Sequence, residues 1–442
     1  MTHRFLQALD KAELVERSGR VVRILPTYVE ADGPNAPLGA LCRIQTRESG
    51  NGSGRDALAE VVGVLRDTII LAPFGDRPAT FSGARVVACG GADTAPVGDA
   101  LLGRALNALG APIDNLGPLA STARAPLNPT PVPPLERASP NAVLETGVRA
   151  IDGLLTLGRG QRVGVFAASG VGKTTLMTQL ANQVGADHCV ICLVGERGRE
   201  VEALWSRALS PAVRARSTLI AATSDDSAAM RARAADYALA VADHWRAAGR
   251  HVLLLVDSVT RLAMALREIG LAAGEPPTVR AYTPSVFATI PKLVERCGSL
   301  RSGGAITAIM TVLCETDETD DPVAEMMKSL LDGHLILSRD LAEQGRYPAI
   351  DAPRSISRLA SDLLDAEGQN QAQQALALLS AYDASRTLIE SGLYVRGASP
   401  EIDRALDRRP GLVSYLRQAS SEHTPYAAAR AALARALSGE AV

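Results

Sequence analysis

The chain has 442 residues, of which 47% are hydrophobic and 21% charged, and its formal charge is −2. A chain of this length is too long to fold around one ordinary hydrophobic core, so we predict two or three domains. The small net charge argues against a protein whose main task is to coat nucleic acid. The longest hydrophobic runs contain about ten residues, about half of a membrane-spanning helix, and the charged N-terminus lacks a signal-peptide core, so we expect a cytoplasmic protein.

The N-terminal part of the chain predicts a small all-β domain. From about residue 20 to residue 91, short apolar runs alternate with Gly, Pro and Asp turns, which is typical of a barrel or a sandwich. We expect a helical segment near residues 98–109. The proline-rich passage at 125–140 could be a recognition segment for another protein, but such passages are more often extended connectors.

The middle of the chain predicts a parallel sheet flanked by helices. From about residue 147 to residue 351, strand candidates alternate with segments of helical period, which implies right-handed crossovers and a doubly wound α/β fold. Beyond about residue 361 the chain is rich in Ala and Leu and predicts a helical domain. The six strand candidates are RVGVFA at 162, CVICLVG at 189, STLIAAT at 217, HVLLLVD at 251, AITAIMTVL at 305 and GHLILS at 333.

The cysteines and histidines show no clear disulfide or metal-ligand pattern. The close pair Cys189 and Cys192 has a spacing found in redox and zinc sites, but it lies in a β-branched run that predicts a buried strand. Residues three apart on a strand face opposite sides. We therefore expect these cysteines to be inert residues of the core.

The segment GVFAASGVGKTT at 164–175 carries the clearest chemistry. Arginine supplies 42 of the 46 basic residues, so the lysine at 173 stands where a compact, flexible ammonium is needed. Gly170 and Gly172 let backbone N–H groups face phosphate oxygens at the start of a helix. Lys173 can reach the β- and γ-phosphates, and Thr174 offers its hydroxyl to Mg²⁺. The predicted nucleotide-binding residues are Ala168, Ser169, Gly170, Val171, Gly172, Lys173, Thr174 and Thr175.

The pattern G-x-x-x-x-G-K-[ST] is met except at its first position, where Ala167 replaces glycine and restricts φ. A later strand supports the prediction, because HVLLLVDS places Asp257 where a carboxylate is expected to hold Mg²⁺ through water. The alternative is that Asp257 only caps the next helix. We favour the metal role for Asp257 together with Thr174, and we expect ATP and Mg²⁺ as the ligands of the site.

Hydrolysis also needs a group that orients the attacking water. CVICLVG runs directly into ERGRE, so Glu196 should emerge at the same sheet edge as Lys173 and activate water, with Arg197 as its charge partner. Glu200 falls four residues later, where a solvated helix face is expected. The charge on the transferred phosphoryl group needs a further cation, such as an arginine.

Several segments together resemble the ATPases of type III secretion systems. The resemblance covers nearly the whole chain, and the family includes the virulence injectisome ATPase and the flagellar export ATPase and is related to the catalytic subunits of rotary ATP synthases. It implies a RecA-like P-loop ATPase core between an N-terminal β-barrel and a C-terminal helical domain. The matching segments are TGVRAIDGLLTLGRGQRVGVFAASGVGKTT, VGERGREVEALW, LLLVDSVTRLAMALREIGLAAGEPP, SVFATIPKLVER, LLDGHLILSR and RYPAIDAPRSISRL.

The resemblance implies a homo-hexamer with active sites between subunits. In RYPAIDAPRSISRL, Arg358 matches the arginine that completes the neighbouring subunit's site in trans, and Tyr347 matches the aromatic residue that packs on adenine. The implied division is a β-barrel oligomerisation domain with a leading helix at 1–91, the ATPase domain at 92–352 and the helical domain at 353–442.

The implied partners are a central stalk protein, chaperone–substrate complexes and the export apparatus at the inner membrane, where we expect peripheral association. The loop at 270–285 matches a segment that faces the central pore, although a long surface connector is the alternative. Residues 3–17 form a predicted helix with a partly apolar face, which suits docking to a stator-like regulator or a membrane surface, or else a plain terminal helix. The run at 314–327 is more acidic than the usual family segment, and Asp321 with Pro322 predicts a helix start.

We therefore expect an ATP-driven motor that strips chaperones from export substrates and unfolds these substrates. Alanine is often found at the position of Ala167 in this family, whereas Ala168 stands where the flagellar branch usually has glycine, which favours the injectisome over the flagellum. GERGREVEALW and LREIGLAAGEPP disfavour the alternative of a rotary ATPase subunit. A ring helicase such as Rho needs aromatic platforms for bases, and aromatic residues make up only 3% of the chain, so we expect no nucleic-acid partner.

Overall fold

The first part of the chain folds as a barrel. The computed structural model describes residues 16–46, 56–75, 80–89, 93–314 and 321–439. Residues 3–15 of the predicted first helix and residues 315–320 of the acidic run therefore lie outside the described residues. The barrel strands are β1 Ser18–Ile24, β2 Val29–Ala31, β3 Leu41–Ile44, β4 Ala57–Val64, β5 Ile69–Pro73 and β6 Arg85–Ala88.

The barrel is closed, with the strand order β1-β2-β5-β4-β3-β6. Its inward side chains, such as Val21, Ile44 and Leu71, are buried. Closure removes the free edges that an open sheet of this size would expose. The predicted β domain is confirmed and is a barrel.

Six short strands link the barrel to the rest of the protein. They are β7 Thr94–Val97, β8 Arg104–Asn107, β9 Ala123–Pro126, β10 Arg137–Ala138, β11 Val143–Leu144 and β12 Leu157–Gly158. β7 pairs with β9, and β11 pairs with β12. The proline-rich passage thus begins in one paired strand and ends beyond another, as expected of a connector.

The helix predicted near residues 98–109 is wrong. A 3-10 turn at Asp99–Leu101 is followed by strand β8, which pairs in parallel with residues 218–221 at the edge of the large sheet. Periodicity alone cannot separate a short buried helix from a strand. The tertiary structure decides, because Asp114 accepts hydrogen bonds from the Ala105 N–H and the Arg104 guanidinium and fixes the segment in an extended form.

The six strands predicted for the middle region all lie in one large sheet. Besides β8 and β10, the sheet contains β13 Arg162–Ala167, β14 His188–Glu196, β15 Ser217–Thr223, β16 His251–Asp257, β17 Gly298–Leu300, β18 Ala305–Leu313, β19 Gly333–Leu337 and β20 Ile356–Ser357. Its strand order is β20-β19-β13-β18-β16-β14-β15-β8. The neighbours from β19 to β15 run parallel, which confirms the doubly wound fold. The sheet continues to Ser357, and the domain boundaries after residues 91 and 352 stay a prediction.

Helices pack on both faces of the sheet. Leu262 and Val286 belong to the core on one face, whereas Leu176, Leu412 and Leu433 belong to the core on the other. Among the residues that the structure describes, no helix has the length and apolarity needed to cross a membrane. The helices are α1 Arg149–Leu154, α2 Lys173–Gln183, α3 Gly198–Ala203, α4 Pro211–Ala215, α5 Ala228–Ala247, α6 Val259–Ala272, α7 Pro284–Arg296, α8 Pro322–Leu330, α9 Arg339–Glu343, α10 Ala360–Leu363, α11 Ala366–Glu390, α12 Pro400–Leu416 and α13 Tyr426–Ser438.

Two smaller predictions hold. Cys189 and Cys192 are buried on opposite faces of β14, and burial raises the pKa of the Cys189 thiol to about 12, so both behave as core residues. Asp321 caps α8 by accepting hydrogen bonds from the Val323 and Ala324 N–H groups, with Pro322 at the first helical position.

Helix α1 is the point where the C-terminal helices meet the ATPase core. The Tyr415 hydroxyl donates a hydrogen bond of 2.9 Å to the Arg149 carbonyl. This close approach requires Gly153, because a Cβ at that position would lie 1.9 Å from the Tyr415 hydroxyl oxygen. The contact places the last helices on the same face of the sheet as α2.

We predict that Gly153→Ala destabilises the protein by about 1–3 kcal/mol, the usual result of overpacking a core, although alanine is the better helix former. Thermal unfolding followed by circular dichroism measures the effect. Gly185→Ala is the matched control, because Gly185 is exposed and a Cβ there would have no described atom beyond its chain neighbours within 4 Å. Equal midpoints for Gly153→Ala and wild type would contradict the proposed close contact.

Candidate nucleotide-binding site

The phosphate-binding loop lies between the end of β13 and the start of α2. Gly170 and Gly172 have φ values of 83° and 96°, a region that favours glycine. Ala167 is the last residue of β13 and pairs with Leu313 and Leu337 on its two sides. A residue in an extended strand does not need to be glycine, so the alanine leaves the loop geometry intact.

Helix α2 presents its first N–H groups at this loop. Gly172 is its N-cap, and no described side chain caps these groups, so they can bind an anion. Ser169, Gly170, Thr174 and Thr175 are exposed, whereas Ala168 and Val171 are buried. The loop therefore presents backbone donors and hydroxyl groups outward, as polyphosphate binding requires.

Lys173 joins the loop to two neighbouring strands. Its ammonium lies 2.5 Å from a carboxylate oxygen of Asp257 and 3.6 Å from one of Glu196. Asp257 ends β16 and Glu196 ends β14, which is adjacent in the sheet. The three side chains are 12%, 8% and 8% exposed, so these charges interact with little screening by water. The sequence prediction that they meet at one sheet edge is confirmed.

Asp257 does not serve as the cap of the next helix. Ser258 is the N-cap of α6 and accepts a hydrogen bond of 3.3 Å from the Arg261 N–H. The Asp257 carboxylate instead accepts hydrogen bonds from Lys173 and from the Thr311 hydroxyl at 2.8 Å. It is thus oriented from two sides at the mouth of the loop.

Glu196 has different partners from those predicted. Arg261 of α6 lies 3.2 Å from its carboxylate, while Arg197 is exposed, so within the described ranges the charge partners are Arg261 and Lys173. Glu200 is not a purely solvated acid either, because its carboxyl helps to raise the pKa of Glu196. Arg197 is the N-cap residue of α3 and has an extended backbone.

The pKa of Glu196 is raised above its usual value. Burial is the largest cause, and the neighbouring Glu200 carboxyl adds to it, whereas the charges of Lys173 and Arg261 oppose the rise. A carboxylate with a raised pKa is a stronger base. The arrangement therefore suits proton abstraction from a water at this edge of the sheet.

Tyr347 lies beside the phosphate-binding loop. Its side chain is 46% exposed, and a Cβ at Gly172 would lie 3.5 Å from its ring. An exposed aromatic ring next to a phosphate site can pack on a base. Tyr347 is far from the loop in the sequence, so the residue pattern alone could not show that the two are neighbours in the structure.

Arg358 lies far from the loop of its own chain. It directly follows Ser357 of β20, which pairs with Gly333 at the start of β19. The Arg358 N–H donates to the Asp332 carbonyl. Gly333 pairs with Val163 at the amino-terminal end of β13, whereas the loop begins after Ala167. At about 3.3 Å per residue, this register separates the Arg358 backbone from the loop by roughly 13 Å. Arg358 and Lys173 therefore lie at opposite ends of the sheet's parallel strands.

The comparisons with known proteins agree with this site. The ATP synthase alpha/beta family nucleotide-binding domain matches residues 147–357, and the T3SS EscN ATPase C-terminal domain matches residues 364–435. The type 3 secretion system ATPase of Xanthomonas euvesicatoria is 43% identical over 410 residues, 93% of this chain and 92% of that one. The chain belongs to the type III secretion system ATPase family.

Two further relatives support this membership. The flagellum-specific ATP synthase of Bacillus subtilis (strain 168) is 42% identical to this ATPase over 427 residues, 95% of either chain. The assembled ATPase EscN from the enteropathogenic E. coli type III secretion system has a TM-score of 0.89 and 37% identity, over 95% of this chain and 100% of that one. The resemblance found in the sequence and the RecA-like fold are confirmed.

The site of this ATPase fits a magnesium nucleotide better than a resident metal. Within the described ranges, no group of three or more His, Cys, Asp or Glu side chains could hold a metal ion. Mg²⁺ is usually held by one or two carboxylates together with substrate phosphates, and Asp257 and Thr174 supply such a set at the loop. ATP as the ligand agrees with the nucleotide-binding family model, and Mg²⁺ stays a prediction.

Arg261 is the site residue that sequence reasoning missed. It stands four residues after Asp257, on the first turn of the following helix. When a strand ends in a functional carboxylate and leads directly into a helix, the first turn of that helix lies close to the site. The arginine on this turn could therefore have been predicted from the sequence.

We predict that Glu200→Gln moves the acidic limb of the pH–rate profile to lower pH. Glu196 must be ionised to accept a proton, so the rate falls as the pH drops through its raised pKa. Removing the Glu200 carboxyl removes one cause of that rise. The measurement is kcat against pH, with Glu202→Gln as control because Glu202 lies on the same helix and pairs with Arg207 at the surface. A shift to higher pH, or none, would contradict the coupling.

Proposed function

We propose that this ATPase is the ATP-hydrolysing motor of a type III protein secretion system, that it works as a homo-hexamer, and that it belongs to an injectisome. The carrying observation is the arrangement of Lys173, Asp257 and Glu196 at one sheet edge with Arg358 at the other. A site of this kind has its phosphate-binding half on one subunit. It needs its remaining cation from elsewhere.

In the proposed reaction, the N–H groups of the loop and Lys173 bind the β- and γ-phosphates, and Tyr347 packs on adenine. Glu196, kept basic by burial, takes a proton from the water that attacks the γ-phosphate. Mg²⁺, which Asp257 through water and Thr174 would hold with the phosphate oxygens, neutralises phosphate charge when bound.

Arg358 is proposed to complete the site of the neighbouring subunit. Its side chain is exposed and donates one hydrogen bond to the Lys328 carbonyl at 3.1 Å, which leaves further guanidinium donors for a phosphate. A guanidinium that reaches the transferred phosphoryl group can accelerate the reaction by about 10³–10⁵-fold. Its place at the far sheet edge supports action in trans.

The proposed assembly has the β-barrels as its oligomerisation ring and the C-terminal helices toward partners. EscN has been solved in complex with its central stalk EscO, which supports a central stalk protein as a partner here. We also propose a stator-like regulator, chaperone–substrate complexes that the motor separates and unfolds, and a cytoplasmic position with peripheral association at the inner membrane. We propose no nucleic-acid partner.

A flagellar export ATPase is the second candidate. The flagellar relative from Bacillus subtilis and the secretion relative from Xanthomonas euvesicatoria are 42% and 43% identical to this chain, so overall identity favours neither branch. Ala168, which stands where the flagellar branch usually has glycine, is the reason for preferring the injectisome.

We predict that Lys173→Ala and Arg358→Ala each lower hydrolysis by about 10³-fold or more, and that mixing the two restores activity. A ring with both variants contains sites with an intact lysine and a neighbour's intact arginine, so random mixing should regain about a quarter of the wild-type rate. The measurement is phosphate release after co-refolding or subunit exchange.

Arg159→Ala is the control for that mixing experiment, since Arg159 is an exposed arginine just before β13, at the end of the sheet where Arg358 lies. Arg358→Ala must still bind ATP. A mixture no faster than its components, with subunit exchange verified, would place Arg358 in the function of its own subunit.

We predict that deletion of the gene stops secretion of injectisome substrates and leaves motility unchanged. Complementation with the wild-type gene should restore secretion, whereas Lys173→Ala should not. The measurement is the secreted protein profile beside swimming in soft agar. Loss of motility with normal secretion would favour the flagellar candidate.

A further inference from the structure

The turn between the last two helices is bonded to several parts of the nucleotide-binding half. We call residues 417–424 the 417–424 turn; it follows α12 and leads into α13. Its members reach the loop that carries Tyr347, the start of α1 and the end of α2, as the following contacts show. No role in the site proposed above depends on this turn.

Gln418 is the centre of these contacts. Its backbone N–H donates a hydrogen bond of 2.9 Å to the Tyr347 carbonyl. Its side-chain carbonyl accepts from the Arg149 N–H at 2.8 Å, and its side-chain amide donates to the carbonyls of Gly147 and Glu422 at 2.6 and 2.9 Å. The side chain is buried, with 4% of the residue exposed. A buried amide with its donors and acceptor satisfied has one strongly preferred position.

The same turn is fastened to the phosphate-binding helix. The side chain of Gln183, the last residue of α2, donates a hydrogen bond of 2.8 Å to the Glu422 carbonyl. Arg149 pairs with the Glu422 carboxylate and donates to the Tyr415 carbonyl at 2.8 Å. The turn therefore spans from the far end of the helix that begins at Lys173 to the backbone of Tyr347.

We propose that Gln418 is a positioning residue for nucleotide binding, which holds Tyr347 at the distance from the phosphate-binding loop that the base requires. This inference rests on the proposed role of Tyr347 as the base platform. The Tyr347 ring is exposed and lies beside Gly172, so neighbouring side chains hold it only in part. Its backbone anchor at Gln418 then decides where the ring stands.

The same contacts would couple the position of the C-terminal helices to nucleotide affinity. Gln418 lies two residues beyond α12, and Tyr415 and Arg149 bind the end of that helix to the core. A partner that shifts α12 relative to α1 would move Gln418, and with it Tyr347. The phosphate subsites, which Lys173 and the α2 N-terminus supply, would change less. We therefore expect a change in base affinity in particular.

Gln418→Ala tests this proposal, because alanine leaves the Arg149 N–H without its partner and removes one of the two donors to each of the Gly147 and Glu422 carbonyls. We expect KM for ATP to rise by about tenfold, with kcat changed less than twofold. Inhibition by inorganic tripolyphosphate, which uses only the phosphate subsites, should stay at its wild-type strength. Gln374→Ala is the matched control, since Gln374 is exposed and bonds only along its own helix to Asn370.

Gln418→Glu keeps the volume and the acceptor for the Arg149 N–H but removes the amide donors, so it serves if the alanine variant fails to fold. It should raise KM in the same way. If a folded Gln418 variant shows wild-type KM, or if ATP and tripolyphosphate binding weaken together, the positioning role is overturned.

Tyr347→Ala separates the inference from the function on which it rests. If Tyr347→Ala raises KM for ATP and the double variant with Gln418→Ala raises it no further, both residues act through one interaction, as proposed. If Tyr347→Ala leaves KM unchanged, the platform role itself is wrong. If both single variants raise KM and their effects add, Gln418 acts independently of Tyr347 and the inference fails.

Discussion

The Lys173 ammonium, held between the carboxylates of Asp257 and Glu196, is the interaction on which the nucleotide site depends. Each of these charges is mostly buried, and a buried charge that loses its partner costs about 3–5 kcal/mol. The three therefore stay together only because a loop and two adjacent strands end at the same place. The parallel sheet supplies that coincidence, since its strands all end at one edge.

The same charges set the chemistry of the site. Burial and Glu200 raise the pKa of Glu196, and Lys173 and Arg261 limit the rise, so the carboxyl is a better base than an exposed one and can still ionise. Asp257 has no such acidic neighbour among its hydrogen-bond partners, which are Lys173 and Thr311. Two carboxylates at one edge thus have different surroundings, which suits one for proton transfer and the other for the metal ion.

The sheet also separates Arg358 from the phosphate-binding loop. Arg358 follows β20 at the end of the sheet opposite the loop, which is why we propose that it acts in the site of a second subunit. The C-terminal helices are connected to the site through the 417–424 turn, which is hydrogen-bonded to Tyr347 and to the end of α2. A ring of such subunits would therefore share each site between neighbours and expose it to forces on the last helices.

The sequence by itself determined a small all-β domain, six strands of the large sheet, the phosphate-binding loop and the meeting of Lys173, Glu196 and Asp257, because hydrophobic period and loop chemistry are local properties and parallel strands end at one edge. Closure of the β domain into a barrel was decided by the tertiary structure. Tyr347 and Arg358 were found only through family resemblance. Tertiary structure alone decided that residues 104–107 pair as a strand, that Arg261 pairs with Glu196 while Arg197 is exposed, and that Gln418 reaches Tyr347. These contacts join residues far apart in the chain or depend on the direction in which a helix leaves a strand, and neither periodicity nor spacing encodes that direction.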